Sequence, residues 1–374
     1  MGRTIDAKLP LKLLESITRN REDTKEIRIE NCVGFTQVPL GLAGPLQING
    51  QFQNKSVYAP LATVEPTLVA SCSRGCKVLQ TSGGVHVTVL SEGLSRAPVF
   101  GFQSVNDAVR FYHKIPALEA RFRASAESTS KHARLVRVDP HIIGTRVHVK
   151  FQYTCGDAGG QNMVTIATHQ ACQDLLTSVT AENFRIIDFQ IEGQFASDKK
   201  LSWGNVHDPR GVEVLAWVTV SNAASRAVLG CSTDRLRHVI SMFHEGGTRN
   251  GQMGHNINTA NIVAAMFIAC GQDAASVLES GWSHLTAELD DMTKELTLSL
   301  YFPSLLVGSV GGGTGYPTQK EALELIGCSG AGRKWALAET VAAFALALDI
   351  STVSAIANDT FSASHQRLAR GSKL

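Results

Sequence analysis

The chain has 374 residues, 44% of them hydrophobic and 18% charged, a balance that suits one large or two medium globular units and excludes a disordered chain. Its 35 basic and 33 acidic residues leave a formal charge of +2, so no basic field points to nucleic acid, although a small anionic ligand is compatible. Eight cysteines are scattered without pairing-like spacing, and Cys72 and Cys76 have no neighbouring ligands to complete a zinc set, so reduced thiols and no metal are expected.

Residues 8–30 read as a short amphipathic helix followed by the charged connection "NREDTKEIRIE". The N-terminus carries charges where a signal peptide needs its apolar centre, which argues for a soluble, cytoplasmic protein. "FTQVPLGLAGPLQING" alternates apolar residues among glycines and prolines, as strands and turns do. Residues 61–80 place small and apolar side chains at helical spacing. Within them, Glu65 has two readings: an acid favouring a helix start, or a proton donor held in a dry site.

The texture changes between about residues 98 and 195, where helix, two strands, helix and strand follow one another as a compact α+β unit that reads as an insertion. Inside it, "CGDAGGQNM" at 155–163 joins a strand to a helix, and its glycines allow a phosphate to approach the helix N-terminus. A plain turn is the alternative. "GSVGGGTG" at 308–315 is a second such loop, and neither contains G-x-G-x-x-G, so a standard dinucleotide fold is disfavoured.

"SDKK" at 197–200 is either a solvated turn or a charged site. After it come a strand at 211–221, a helix over roughly 222–245, an apolar helix ending near Cys270, a strand-like run from 297, and helices near 317–327 and 332–349. "NIVAAMFIAC" and "VAAFALALDI" are about half the roughly 20 residues of a membrane span, so they read as buried helices. Asp273 closes the first of these, where burial would demand a partner. His365 lies in the polar "FSASHQRLARG", where an exposed tail residue is the plain reading.

Six stretches in this order, "ENCVGFTQVPLGLAGPL", "APLATVEPTLVASCSRGCK", "GDAGGQNM", "SDKK", "NTANIVAAMFIACGQDAA" and "VGSVGGGT", resemble the catalytic region of the hydroxymethylglutaryl-CoA reductase family, especially its eukaryote-type class I. The likeness runs from about residue 30 to 370. It implies an α+β fold with a helical segment at 1–30, a large substrate domain at 31–97 and 196–374, and an inserted ferredoxin-like, non-Rossmann NADP-binding domain at 98–195. A homodimer without a membrane span is implied as well.

The implied reaction is NADPH-dependent, four-electron reduction of an acyl-CoA thioester to a primary alcohol. Glu65, Lys199, Asp273 and His365 match the family's catalytic residues. Lys199 would stabilise the oxyanion, Asp273 would pair with Lys199 and Glu65, His365 would protonate the departing thiolate, and Glu65 would protonate the aldehyde intermediate. Ser130 and Lys131 in "STSKHARL", Asp157, Gly160 and Asn162 in the first glycine loop, and Val310, Gly311 and Gly312 in the second match cofactor contacts. Ser71, Arg96, Glu192, Lys200 and Asn261 fall at substrate positions.

The departures are specific. Lys131 replaces an arginine at the 2′-phosphate, Gly159 and Gln161 replace two methionines, Glu192 replaces a serine of the carboxylate clamp, and a second clamp lysine is missing. Pro66, Ser73 and Asn258 also differ from the pattern, and Gly371 stands where the family has a regulatory serine. Other acyl thioesters, on CoA or a carrier protein, and a non-catalytic ligand-binding paralogue are the alternative readings.

Overall fold

The computed structural model describes residues 15–18, 27, 29–178 and 183–362. Strands β1 (Leu40–Gly50) and β2 (Asn54–Ala62) form an antiparallel hairpin, and β1 pairs in parallel with β3 (Val85–Arg96). The large sheet continues from β3 through β8 (Gly211–Val220) and β10 (Leu296–Leu305) to β9 (His284–Leu289), all antiparallel. Alternation does the placing: Leu296, Leu298, Leu300 and Phe302 of β10 are fully buried on one face.

Helices α1 (Leu68–Thr81), α4 (Thr233–Arg249), α5 (Thr259–Ala269) and α7 (Lys334–Ala357) share one core with that sheet. The 24-residue α7 is apolar all round and long enough to cross a membrane, but almost all of it is buried at the centre of the core. It carries two buried carboxylates. Glu339 accepts the N–H groups of Gln51, Phe52 and Gln53 and so closes the β1–β2 turn, while Asp349 accepts those of Ile257 and Asn258 at the start of α5.

The inserted segment runs β4 (Val99–Phe102), α2 (Val105–Glu127), β5 (Arg134–Ile143), β6 (Arg146–Thr154), α3 (Gln161–Leu176) and β7 (Ile186–Gln190). Its antiparallel sheet has the order β7-β4-β6-β5, the ferredoxin-like arrangement of a βαββαβ chain. A second core, with Phe100, Phe111, Phe122 and Phe151 fully buried, lies between this sheet and its two helices. Strand β3 belongs to both sheets, because Leu94–Arg96 at its end pair with Phe151–Tyr153 of β6.

Several expectations need correction. Residues 61–80 are not one helix: β2 extends to Ala62 and α1 begins only at Leu68. Pro66 disfavours helical backbone at Glu65, and Thr67 has φ 80°. The helix expected over 222–245 breaks at Gly230 (φ 77°), and α4 restarts where the Ser232 side chain accepts from the Arg235 N–H. The last helix runs to Ala357 rather than 349, because Ser351 and Ser354 bury their hydroxyls in hydrogen bonds, Ser354 to the Ser351 carbonyl at 2.7 Å. Of the expected helix within 8–30, only the turn Glu15–Thr18 lies in the described residues.

Candidate active site

The connection from β7 to β8 carries the SDKK segment. Gln194, Ser197 and Lys199 all have left-handed φ, of 66°, 51° and 54°, an unusual concentration of strain for non-glycine residues. Lys199 Nζ lies 2.8 Å from Asp273 Oδ2. This hydrogen bond holds the Lys199 ammonium above its ordinary pKa, with the charges of Asp273, Asp198 and Glu279 adding to it. Asp273 thus has the expected partner, but the pair is part-exposed rather than buried.

Asp273 also accepts from the Ala275 N–H at 3.1 Å and so caps the short helical segment that follows. Gln161, the first residue of α3, donates to Asp273 at 3.3 Å and to Ser276 Oγ at 3.1 Å. A side chain noted in the sequence only as a departure therefore ties the first glycine loop to the Lys199–Asp273 pair.

Behind Lys199 is a chain of charges. Asp198 accepts from buried Arg210 at 2.6 Å and from Arg96 at 3.4 Å. Arg96, expected at a substrate position, is in turn paired with Glu192 at 2.7 Å and so is already met by a carboxylate of its own chain. Lys200 turns its ammonium back onto the Asp198 carbonyl at 3.0 Å. Arg210 and Glu279, both buried, were not singled out in the sequence, and only a charge inside an otherwise apolar run could have drawn attention to them.

The two glycine loops meet. The Asp157 carbonyl accepts from the Ser309 N–H at 2.8 Å, and Ala158 pairs with Val310 in a parallel bridge. A Cβ on Gly308 would lie 2.5 Å from the Gly159 nitrogen, so close backbone approach requires glycine there. Gly160 (φ 82°) precedes α3, whose first turn has no side-chain cap and presents free N–H groups next to Asn162. Gly159, Gly311 and Gly312 face open space. Lys334 supports the loop from below, donating to the Gly156 carbonyl at 3.1 Å while paired with Glu92. Ser130 and Lys131 lie on the turn between α2 and β5, where Ser130 Oγ accepts the N–H groups of His132 and Ala133. This cradle of backbone amides, with an exposed lysine in the same unit, fits a phosphorylated dinucleotide.

Not every expected residue joins this cluster. Glu65 is exposed in the single chain, contrary to the dry-site reading, and accepts from Asn261 at 3.3 Å. Asn261 lies in the first turn of α5, about 12 Å of helix from the end beyond which Asp273 sits. Among the described residues no hydrogen bond or ion pair joins Glu65 to Lys199 or Asp273. Ser71 bonds to Ser351 of α7 at 2.9 Å rather than facing an open site. His365 and Gly371 lie outside the described residues.

The family described as hydroxymethylglutaryl-coenzyme A reductase matches residues 5–370. The chain is similar to the 3-hydroxy-3-methylglutaryl-coenzyme A reductase of Methanocaldococcus jannaschii, with 37% identity over 91% of this chain and 84% of the relative. The corresponding protein of Methanothermobacter thermautotrophicus is 37% identical over 99% of this chain and 91% of its own. In fold, the chain resembles the class II enzyme of Streptococcus pneumoniae, solved bound to NADPH, with a TM-score of 0.70, 19% identity and coverage of 92% and 91%. A match that runs almost from end to end, with relatives identical at more than a third of positions, shows that the chain belongs to the hydroxymethylglutaryl-CoA reductase family.

Proposed function

We propose that this protein reduces the thioester of hydroxymethylglutaryl-CoA to the primary alcohol, mevalonate, with two equivalents of NADPH. The observation that carries the reading is the Lys199–Asp273 pair, 2.8 Å apart and tied through Gln161 to the glycine loops. NADPH supplies the hydrides. Asp157, Gly160, Asn162, Val310, Gly311 and Gly312 would hold it, and Ser130 and Lys131 would receive its 2′-phosphate.

Lys199 carries the mechanism in this chain. Its ammonium, kept protonated by Asp273, stabilises the oxyanion as the carbonyl carbon becomes tetrahedral. Asp273 holds that protonation state, and Glu65 protonates the aldehyde oxygen in the second reduction. His365 protonates the departing thiolate. Because no hydrogen bond or ion pair among the described residues joins Glu65 to Lys199 in one chain, the reading includes a homodimer in which a second copy completes each site. Residues 31–97 and 196–374 form the substrate domain and 98–195 the NADP-binding domain, a partition supported by the two separate cores. A soluble, cytoplasmic protein is part of the same reading.

The finer, eukaryote-type subclass is not supported by the matches: the two relatives named are archaeal and the similar solved structure is a class II enzyme. One observation favours a second reading. The Arg96–Glu192 pair fills a position that would receive the substrate's free carboxylate, which suits an acyl thioester lacking that group. Loss of NADPH absorbance, followed with hydroxymethylglutaryl-CoA and with acyl-CoAs lacking the carboxylate, separates the two. Turnover abolished by Lys199→Ala is expected, and turnover that survives it sinks the assignment.

A further inference from the structure

The segment from Asp273 to Ser280 holds Lys199 at two points. Asp273, at its start, takes the ammonium at 2.8 Å, and Glu279, near its end, accepts the Lys199 backbone N–H at 3.3 Å. Between those contacts the lysine is kept at φ 54°, a conformation that an L-residue with a side chain this long does not favour unless its surroundings impose it. The adjoining residue is fixed independently, since Asp198 turns one oxygen to Arg210 and the other to Arg96.

Glu279 is more than a convenient acceptor. Its side chain is fully buried, its counterion is Arg210 at 3.7 Å, and its second oxygen has no hydrogen-bond partner beside a cavity of about 10 Å³, room for about one water. A neutral amide could accept the Lys199 N–H without the desolvation cost of a carboxylate. Arg210, for its part, is already neutralised by Asp198 and bonded to the Ser95 carbonyl at 2.7 Å. The Glu279 carboxylate has two neighbours: the buried Arg210 Nε, which has no hydrogen-bond partner of its own, and, on the site side, Lys199.

We infer that Glu279, held by Arg210, is a positioning residue for Lys199: it fixes the lysine backbone in the conformation that aims the ammonium at Asp273, and it sets a carboxylate behind the lysine loop. The inference rests on the reading of Lys199 as the oxyanion-stabilising group. It adds a role to a residue that touches neither substrate nor cofactor.

The test compares kcat, the KM for NADPH and the pH dependence of kcat in wild type, Glu279→Ala, Glu279→Gln and Glu279→Asp, with Lys199→Ala as reference and thermal melting as the check on folding. Glu279→Ala is expected to lower kcat about 100-fold with little change in the KM for NADPH, the scale of loss when a reacting group moves by about an ångström. Glu279→Gln keeps the acceptor and loses the charge. Its alkaline limb should shift to lower pH, because Lys199 then loses one of the three negative charges, Asp273, Asp198 and Glu279, that hold its proton. Glu279→Asp should restore that limb.

If Glu279→Ala fails to fold, Glu279→Asp, which keeps the charge but shortens the reach to the Lys199 N–H, replaces it as the variant expected to lower kcat. An alkaline limb unmoved in Glu279→Gln, with Lys199→Ala inactive, overturns the inference and leaves the reading of Lys199 standing. Activity surviving in Lys199→Ala overturns both.

Discussion

Asp198 shows how a single side chain fixes a site: each of its oxygens is bound to a different arginine, and the lysine next to it inherits that rigidity. Glu192 acts at the other end of the same chain by occupying Arg96. Replacing it by serine should free the guanidinium for an external carboxylate, lowering the KM for hydroxymethylglutaryl-CoA about tenfold, the value of one charged hydrogen bond. Acyl-CoAs without a carboxylate should respond little. Equal KM values in wild type and Glu192→Ser would refute the competition. At this scale the pairing of Lys199 with Asp273 was expected only through the family resemblance of the short motifs around them, since SDKK by itself reads as a solvated turn. Arg210 and Glu279 were not legible, because their partners are distant in sequence and burial, the property that gives them meaning, has no local signature.

Elements were read well where periodicity was regular, as in α2, α3, β5, β6 and β8, and poorly where one residue overrides the pattern. Pro66 and Gly230 each interrupt an apolar spacing that otherwise suits a helix. Strands β3, β4 and β9 escaped notice, since β3 changes sheets along its length and β4 has only four residues. Helix α7 was seen too short because its last turns carry serines and threonine, yet it organises the fold through Asp349, whose carboxyl burial pushes up to about 6 against the opposing bonds from Asn258, Ile257 and Thr259. A carboxyl raised in the folded state contributes stability that is fully present below its ordinary value of 3.8 and is lost as pH rises through about 6. Denaturant unfolding should therefore show wild type losing about 2–3 kcal/mol relative to Asp349→Asn between pH 4 and 7. A difference that stays flat across this range excludes the assignment.

For the whole molecule, the change of texture after about residue 98 was legible in the sequence, but the strand order was not: β4 was missed, and a ferredoxin-like arrangement was expected only from the family resemblance. What one sequence could not display is that, among the described residues of a single chain, no hydrogen bond or ion pair joins Glu65 to Lys199. If a second copy completes each site, mixing the inactive variants Glu65→Ala and Lys199→Ala and re-forming dimers should restore up to about a quarter of wild-type activity, since half the dimers are mixed and each holds one intact site. Light scattering should give twice the monomer mass, and absence of complementation in mixed dimers would exclude the shared site. Strand β3 has a mechanical consequence for such a dimer. It runs unbroken from the large sheet into the small one, and its last residue is Arg96. The two sheets therefore share a seam in β3, and the arginine at its end hands the position of that seam to Asp198 and to the lysine beside it.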